Sequence, residues 1–361
     1  MGIRVSEAGQ VPQRTNCALP KCEGTAQGAR IEPLMRGTLW WVGTPRHFIW
    51  KKSDFEKEIQ TQMDIGFDLL WLLGSKSAMD HAERNDGKKD VLETLYSIAD
   101  EKKLRVIIDL IPGGGALPGK LPLDQAIPIA RAHIRKLAGR YGHHRSFYGW
   151  YLNNELNPLH PSEQTVSAYW RAYWKGVVDE CRRAAPRSVV AVSPFFLLDE
   201  KGVRGFTYLR PDEYAAWWDA TLKETGIDIL MLQDSGEHLG FFTLEQRDPF
   251  WSAVAEACRK NGKQFWLNVE TGEVDVLNWD EYLKLEREAT SQRKSKEPGE
   301  GIVPWRFTPI DSLEKKLQTA AKVADNLVNW GYYPFMDSDG NVEGRKAYES
   351  YRAYYLKVRD K

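Results

Sequence analysis

The sequence has no surplus of either charge and little sulfur chemistry. Lysine and arginine total 50, as do aspartate and glutamate. A nucleic-acid binder needs a basic excess to neutralise phosphates, and that excess is missing. No nucleic-acid partner is therefore expected, and nothing in the balance points to a membrane surface. There are four cysteines, with no CxxC pair and no disulfide framework. Cys181 and Cys258 fall in amphipathic helical stretches and read as small buried apolar residues. Cys17 and Cys22 sit in a polar N-terminal stretch, compatible with a local disulfide or with two free thiols. Residues 1–35 hold no apolar run long enough for a signal peptide or a membrane helix, and read as a polar arm. The start MGIRVS fits a myristoylation pattern, but so short a match arises often by chance. Taken as it stands, the sequence is expected in the cytoplasm; an exported chain clipped of its signal would read the same.

Tryptophan is plentiful, with 14 residues. Core packing accounts for about half of them on this reading. The rest raise the prior for a carbohydrate ligand, because the apolar face of a pyranose ring stacks on an indole.

From residue 36 a unit repeats: a short run rich in β-branched and aromatic residues, a loop, then a stretch of helical period. The expected strands are 36–43, 67–74, 105–112, 147–155, 188–195, 227–234, 264–270 and 331–337. Their near-continuous apolar runs suit parallel strands buried on both faces. Expected helices span 53–65, 90–103, 123–141, 162–185, 211–224, 248–260, 311–330 and 343–358. Ser53-Asp54, Pro161-Ser162 and Pro211-Asp212-Glu213 are start signals, and Gly66, Gly226 and Gly262 are stops. Eight strands alternating with eight helices predict an α/β (β/α)8 TIM barrel over 36–361, a single domain. A doubly wound sheet would carry a Gly-rich first turn, and GTPRHF is not one. Between the seventh strand and its helix the chain runs about forty residues, 271–310, an insert long enough to wall a cleft.

In such a barrel the chemistry sits at the C-terminal ends of the strands and in the loops that follow. His143 and His144 precede the fourth strand and read as structural. Asp109 lies inside the third strand, where a polar network is a fair account of it. The candidates on the catalytic face are His47, Asn153, Asn154, Glu155, His160, Asp234, Glu237, His238, Glu270, Glu273 and Asp337. Glu155 ends the fourth strand and Glu270 the seventh, so their carboxyl groups can converge across the mouth. Glycoside cleavage needs such a pair, one to protonate the leaving oxygen and one to attack the anomeric carbon or activate water. Either alone could be a strand-end ion-pair partner.

Asn154-Glu155 on the fourth strand with Glu270 on the seventh resembles the clan A glycoside hydrolases. The segments FYGWYLNNE and LMLQDSGEHLG resemble more specifically a group of uncharacterised hydrolase domains in that superfamily. The resemblance implies Glu155 as acid/base, Glu270 as nucleophile and Asn154 as a hydrogen-bond partner of the sugar 2-hydroxyl. The sequence departs from the pattern at Gln233-Asp234, where many relatives have Tyr or His, and at PFMDSD, where a platform Trp is usual. Asp234 is then expected to bind a sugar hydroxyl or to act as a third acid.

A retaining double displacement follows as the expected mechanism, with the two carboxyl groups about 5–5.5 Å apart; about 7–9 Å would indicate inversion. Expected substrate contacts are one of Trp40 and Trp41, since neighbours on a strand face opposite ways, together with Asp234, Glu237, His238, Trp279, Trp305, Phe335 and Asp337. The expected partner is a glycoside, oligosaccharide or polysaccharide, with no cofactor. Two rivals remain open. A metal-dependent hydrolase could use His47, His160, His238 and Asp234, though the first strand lacks the His-x-His of common barrel metalloenzymes. A non-catalytic carbohydrate-binding barrel is the other. Phosphate chemistry is disfavoured by ETGEV and DSDGN, poor matches to Gly-rich phosphate turns. Gly113-Gly114-Gly115 reads as a turn over the barrel rim.

Overall fold

A computed structural model describes residues 31–110, 119–156, 159–203, 207–234, 240–293 and 305–360. The expected arm, with Cys17 and Cys22, lies outside these residues except for its last five positions. Gly113, Gly114, Gly115, Glu237 and His238 also lie outside them.

Seven parallel strands follow one another around the sheet: β1 Gly37–Trp41, β2 Leu69–Leu73, β3 Arg105–Asp109, β4 Phe147–Leu152, β5 Val189–Val192, β6 Ile229–Gln233 and β7 Gln264–Asn268. Two short antiparallel strands, β8 Gly272–Val274 and β9 Trp305–Phe307, then form a separate hairpin inside the insert. The eighth barrel strand is β10, Asn326–Val328, paired with β7. It also meets β1: Leu39 N–H donates to Asn329 O at 2.9 Å, and Asn329 N–H to Gly37 O at 2.9 Å. The barrel is closed.

The eighth strand corrects the sequence expectation. Residues 331–337 are not extended; Gly331 turns in the left-handed region (φ +104°) and Tyr332–Phe335 form a single helical turn. The preceding helix is also shorter than expected, Ile310–Ala320. The aromatic run YYPF carries the composition of a strand, but Pro334 has no N–H to give a ladder. The three residues Asn-Leu-Val suffice because both neighbours complete their hydrogen bonds. Two helical segments were also unforeseen, Pro45–Phe48 and Ser75–Arg84.

Strand alternation divides the interior in two. Leu69, Trp71, Ile107, Tyr151, Ala191, Ile229, Met231, Trp266 and Val328 fill the barrel axis. Trp71 meets Tyr151 edge to face with centroids 5.0 Å apart. The intervening residues, among them Trp40, Leu72, Ile108, Trp150, Leu152 and Leu267, pack outward against the helices. Seven tryptophans are fully buried, which bears out the core-packing share of the count. Cys181 and Cys258 are free and buried.

The axis residues set what lies at the mouth. Tyr151 faces inward, so Asn153 continues on the inner side and Asn154 on the outer. Trp266 faces inward, so Asn268 and Glu270 continue toward the axis.

Candidate active site

Glu155 stands three residues beyond β4, open to solvent and yet surrounded by enough protein that desolvation raises its pKa above that of an ordinary glutamate. Its charge reaches Tyr151 below it, whose hydroxyl is pushed far up by burial first and by the fields of Glu155 and Asp109 second. Tyr151, Glu155 and Asp109 thus share one electrostatic compartment at the head of the axis. Asp109 is itself raised to about 6, because burial outweighs the hydrogen bond it accepts from Ser75 N–H at 2.8 Å.

Glu270 is two residues beyond β7 and buried. Its backbone is fixed at both ends: its N–H donates to Asp234 Oδ2 at 3.0 Å, and its carbonyl accepts from Lys316 Nζ at 2.8 Å. Lys316 Nζ lies 2.9 Å from Asp234 Oδ2, and Arg247 Nη1 lies 3.4 Å from Asp234 Oδ1. Arg247 also donates to Phe242 O at 3.0 Å. These three charged side chains are buried together, as isolated buried charges could not be.

This network revises the expected role of Asp234. Its carboxylate is fully buried and bound to two cations and an amide, so it braces Glu270 instead of contacting a sugar hydroxyl. Sequence reading missed Lys316 and Arg247, although a signal was present. Lys316 sits on the buried stripe Leu313–Leu317–Ala320 of its helix, and Arg247 on the stripe Phe250–Trp251–Val254 of its own. A charge where helical spacing calls for an apolar residue demands a buried partner.

Other candidates divide between the mouth and the walls. Asn154 is buried, and its Oδ1 accepts from Trp174 Nε1 at 3.1 Å; its Nδ2 has no hydrogen-bond partner. The Oδ1 atoms of Asn153 and Asn268 are likewise buried without partners, while Asn268 Nδ2 approaches Ser193 Oγ at 3.4 Å. Each buried amide atom without a partner is costly in a finished core and calls for an explanation.

Trp40 is not in the cleft. It is 1% exposed, stacks on Tyr333 and donates from Nε1 to His47 Nε2 at 3.2 Å. Trp41, on the opposite side of β1, is 60% exposed. His47 is enclosed by Trp40, Trp50 and Phe55, and burial drives its pKa down to about 4. His160 bonds to Ser162 Oγ through Nδ1 in its own turn. Neither histidine stands with Asp234, so the proposed ligand set of a barrel metalloenzyme is not assembled by the described residues.

In the insert, Trp279 packs against Phe241, Phe242 and Tyr282 in a small secondary core, contrary to the expectation that it faces the cleft. Trp305 is 39% exposed and stacks on Phe335 at 5.7 Å, with Trp330 beside both. Phe335 lies against Gly272, where even a Cβ would collide with its ring. A cavity of about 480 Å³ opens alongside, lined by Trp305, Phe335, Asn341 and Lys346 among others. Glu273 pairs with Arg306 across the hairpin at 2.8 Å. Asp337 is buried and accepts from Asp339 N–H at 2.9 Å; burial raises its pKa, with the Arg46 charge opposing.

Residues 35–342 match the family model described as a domain of unknown function, DUF4434. The chain belongs to the DUF4434 family. No curated protein matches this DUF4434 sequence. Among solved structures, a candidate alpha-L-fucosidase from Bacteroides thetaiotaomicron superposes with a TM-score of 0.66 at 15% identity, covering 95% of this chain and 99% of that one. A glycoside hydrolase family 5 mannosidase from Rhizomucor miehei gives 0.51 at 14% identity, covering 91% and 94%. A GH10 endoxylanase from a sugarcane soil metagenome gives 0.51 at 11% identity, covering 89% and 97%. What this DUF4434 chain shares with them is the (β/α)8 fold.

Proposed function

We propose that this protein is a glycoside hydrolase that cleaves O-glycosidic bonds with two carboxyl groups, by retention. Glu155 is the acid/base and Glu270 the nucleophile. The observation that carries the reading is the contrast between the two. Glu155 is reachable from solvent and holds its proton more tightly than an ordinary glutamate, as a proton donor should. Glu270 rises from a strand end whose backbone is clamped by Asp234 and Lys316, as suits a nucleophile that must meet the anomeric carbon in one geometry. The family 5 and GH10 hydrolases among the structural neighbours support the same class at the level of the fold.

Glu270 attacks the anomeric carbon while Glu155 donates its proton to the departing oxygen, leaving a glycosyl ester on Glu270. Glu155, now a carboxylate, takes a proton from water; the water oxygen attacks the anomeric carbon and Glu270 is released. The resemblance assigns Asn154, beside Glu155, to the sugar 2-hydroxyl, and Trp41 and Trp305 offer exposed ring faces for stacking. The substrate is a glycoside, oligosaccharide or polysaccharide.

The test is a panel of aryl glycosides and polysaccharides assayed against wild type, Glu155→Gln and Glu270→Gln. Turnover by wild type, its loss in Glu270→Gln on every substrate and its loss in Glu155→Gln on substrates with poor leaving groups support the reading. Azide should restore turnover to Glu270→Ala with formation of a glycosyl azide. Sugar binding without any turnover would instead make the barrel a binding module.

A further inference from the structure

At the end of β4 opposite Glu155, two histidines and a glutamate bring their ligating atoms close together. His143 and His144 lie in the turn between the helix Leu123–Tyr141 and β4, and Glu93 in the first turn of the helix Val91–Lys102. One ligand atom of each of the three falls within 4.8 Å of the other two. His144 is held in one orientation. Its ring stacks on Tyr96 at 5.1 Å, with the His143 ring on it at 4.2 Å. Its Nδ1 is 2.9 Å from Asp100 Oδ2, which leaves Nε2 directed toward Glu93 Oε2 at 3.3 Å.

We propose that Glu93, His143 and His144 bind a divalent transition-metal ion of the zinc class. The donor set is two imidazoles and one carboxylate, borderline ligands that suit Zn²⁺ better than Mg²⁺ or Ca²⁺. Three protein ligands leave the fourth tetrahedral position to water. The Asp100 contact is the second requirement of such a site. A carboxylate receiving Nδ1–H fixes the tautomer, so that Nε2 presents its lone pair to the metal. Asp100 is a positioning residue here, itself anchored by accepting Ser146 N–H at 2.7 Å. Tetrahedral ligands at about 2.0–2.2 Å from the ion stand about 3.4 Å apart, a spacing His144 Nε2 and Glu93 Oε2 already have at 3.3 Å. The remaining adjustment falls to His143, which is exposed, while His144 stays fixed. The bound ion would tie the helix Val91–Lys102 to the turn that leads into β4. The alternative occupant of this space is no ion at all, with His144 simply bridging Glu93 and Asp100.

The experiment uses the full chain, stripped with chelator and titrated with Zn²⁺ by calorimetry and thermal unfolding, then with Co²⁺ by visible spectroscopy. One equivalent of Zn²⁺, a Tm higher by several degrees, and the intense d–d bands of tetrahedral Co²⁺ are expected. His143→Ala and Glu93→Gln keep the metal-free Tm, because both side chains are at the surface, and lose the metal-dependent rise. Asp100→Asn retains the site with affinity reduced about 10–100-fold. No stoichiometric binding by wild type overturns the proposal. So does binding that survives unchanged in either His143→Ala or Glu93→Gln.

Discussion

Asp234 accepts the backbone N–H of Glu270 at 3.0 Å while its carboxylate is held between Lys316 and Arg247. A residue one step beyond β6 therefore sets the direction in which the last residue of the β7 segment leaves the barrel. Removing it should be felt twice. Asp234→Ala leaves two buried cations uncompensated, and unfolding free energy should fall by about 3–5 kcal/mol. The remaining folded enzyme should lose kcat more than it gains KM, because Glu270 is displaced while the stacking surfaces are not. Denaturant titration and steady-state kinetics on the variant measure both effects.

The pH dependence of turnover follows from Glu155. As proton donor it must be protonated, so kcat/KM should fall as pH rises through its pKa, and that limb should lie above the range of an unperturbed glutamate. Glu155→Gln should lose about 10²–10⁴-fold on substrates with poor leaving groups. On an aryl glycoside whose leaving group needs no proton, the variant should retain glycosylation with no basic limb. A pH–rate profile that keeps its basic limb in Glu155→Gln would give the proton to another residue.

Stability should decline in acid through two histidines. His47 and His133 are both buried, and both are depressed to about 4, by desolvation first. A depressed histidine contributes stability that is complete above its unfolded pKa of about 6.5 and vanishes as pH falls through about 4. Asp109 works the other way. Raised to about 6, it adds stability as pH falls below that value. Between pH 6.5 and 4 the two histidines therefore lower stability while Asp109 offsets part of that loss. Asp109→Asn should steepen it and His47→Gln should flatten it, as read by urea unfolding across that range.

Gly74 supports the exposed face of Trp41. Its φ is +96°, and a Cβ there would come within 2.8 Å of the indole and 2.9 Å of Gly43 N. Gly74→Ala should cost about 1–2 kcal/mol from the left-handed backbone alone. It should also shift Trp41, raising KM for substrate with kcat little changed. Trp41→Ala should raise KM similarly without the loss of stability.

The sequence carried most of the barrel, since strands buried on both faces must be apolar along their whole length. The first seven could be placed to within a few residues. The eighth could not, because Leu327 and Val328 make too short a run to stand out beside Tyr332, Tyr333 and Phe335. Glu155 and Glu270 were legible because the fold dictates where strand ends go. Trp40 and Trp41 were distinguishable only as alternatives, since parity says that one faces in and not which. The unsatisfied amides of Asn153, Asn154 and Asn268 could not have been foreseen. Whether a buried amide finds a partner depends on which strands end at the same height, and no local pattern encodes that. Lys316 and Arg247 lay between these extremes, visible as misplaced charges but with no hint of Asp234 between them.

The excursion after Glu270 leaves the barrel and returns within one hydrogen bond of its origin: Thr308 N–H donates to Thr271 O at 2.8 Å, and the β8–β9 ladder zips the two limbs above it. The scaffold below consequently registers only the closed neck. Segments of other length or composition could be spliced beyond Val274 and Trp305 at little cost to the barrel. The neck is thus an interchangeable fitting between the barrel and whatever the insert carries.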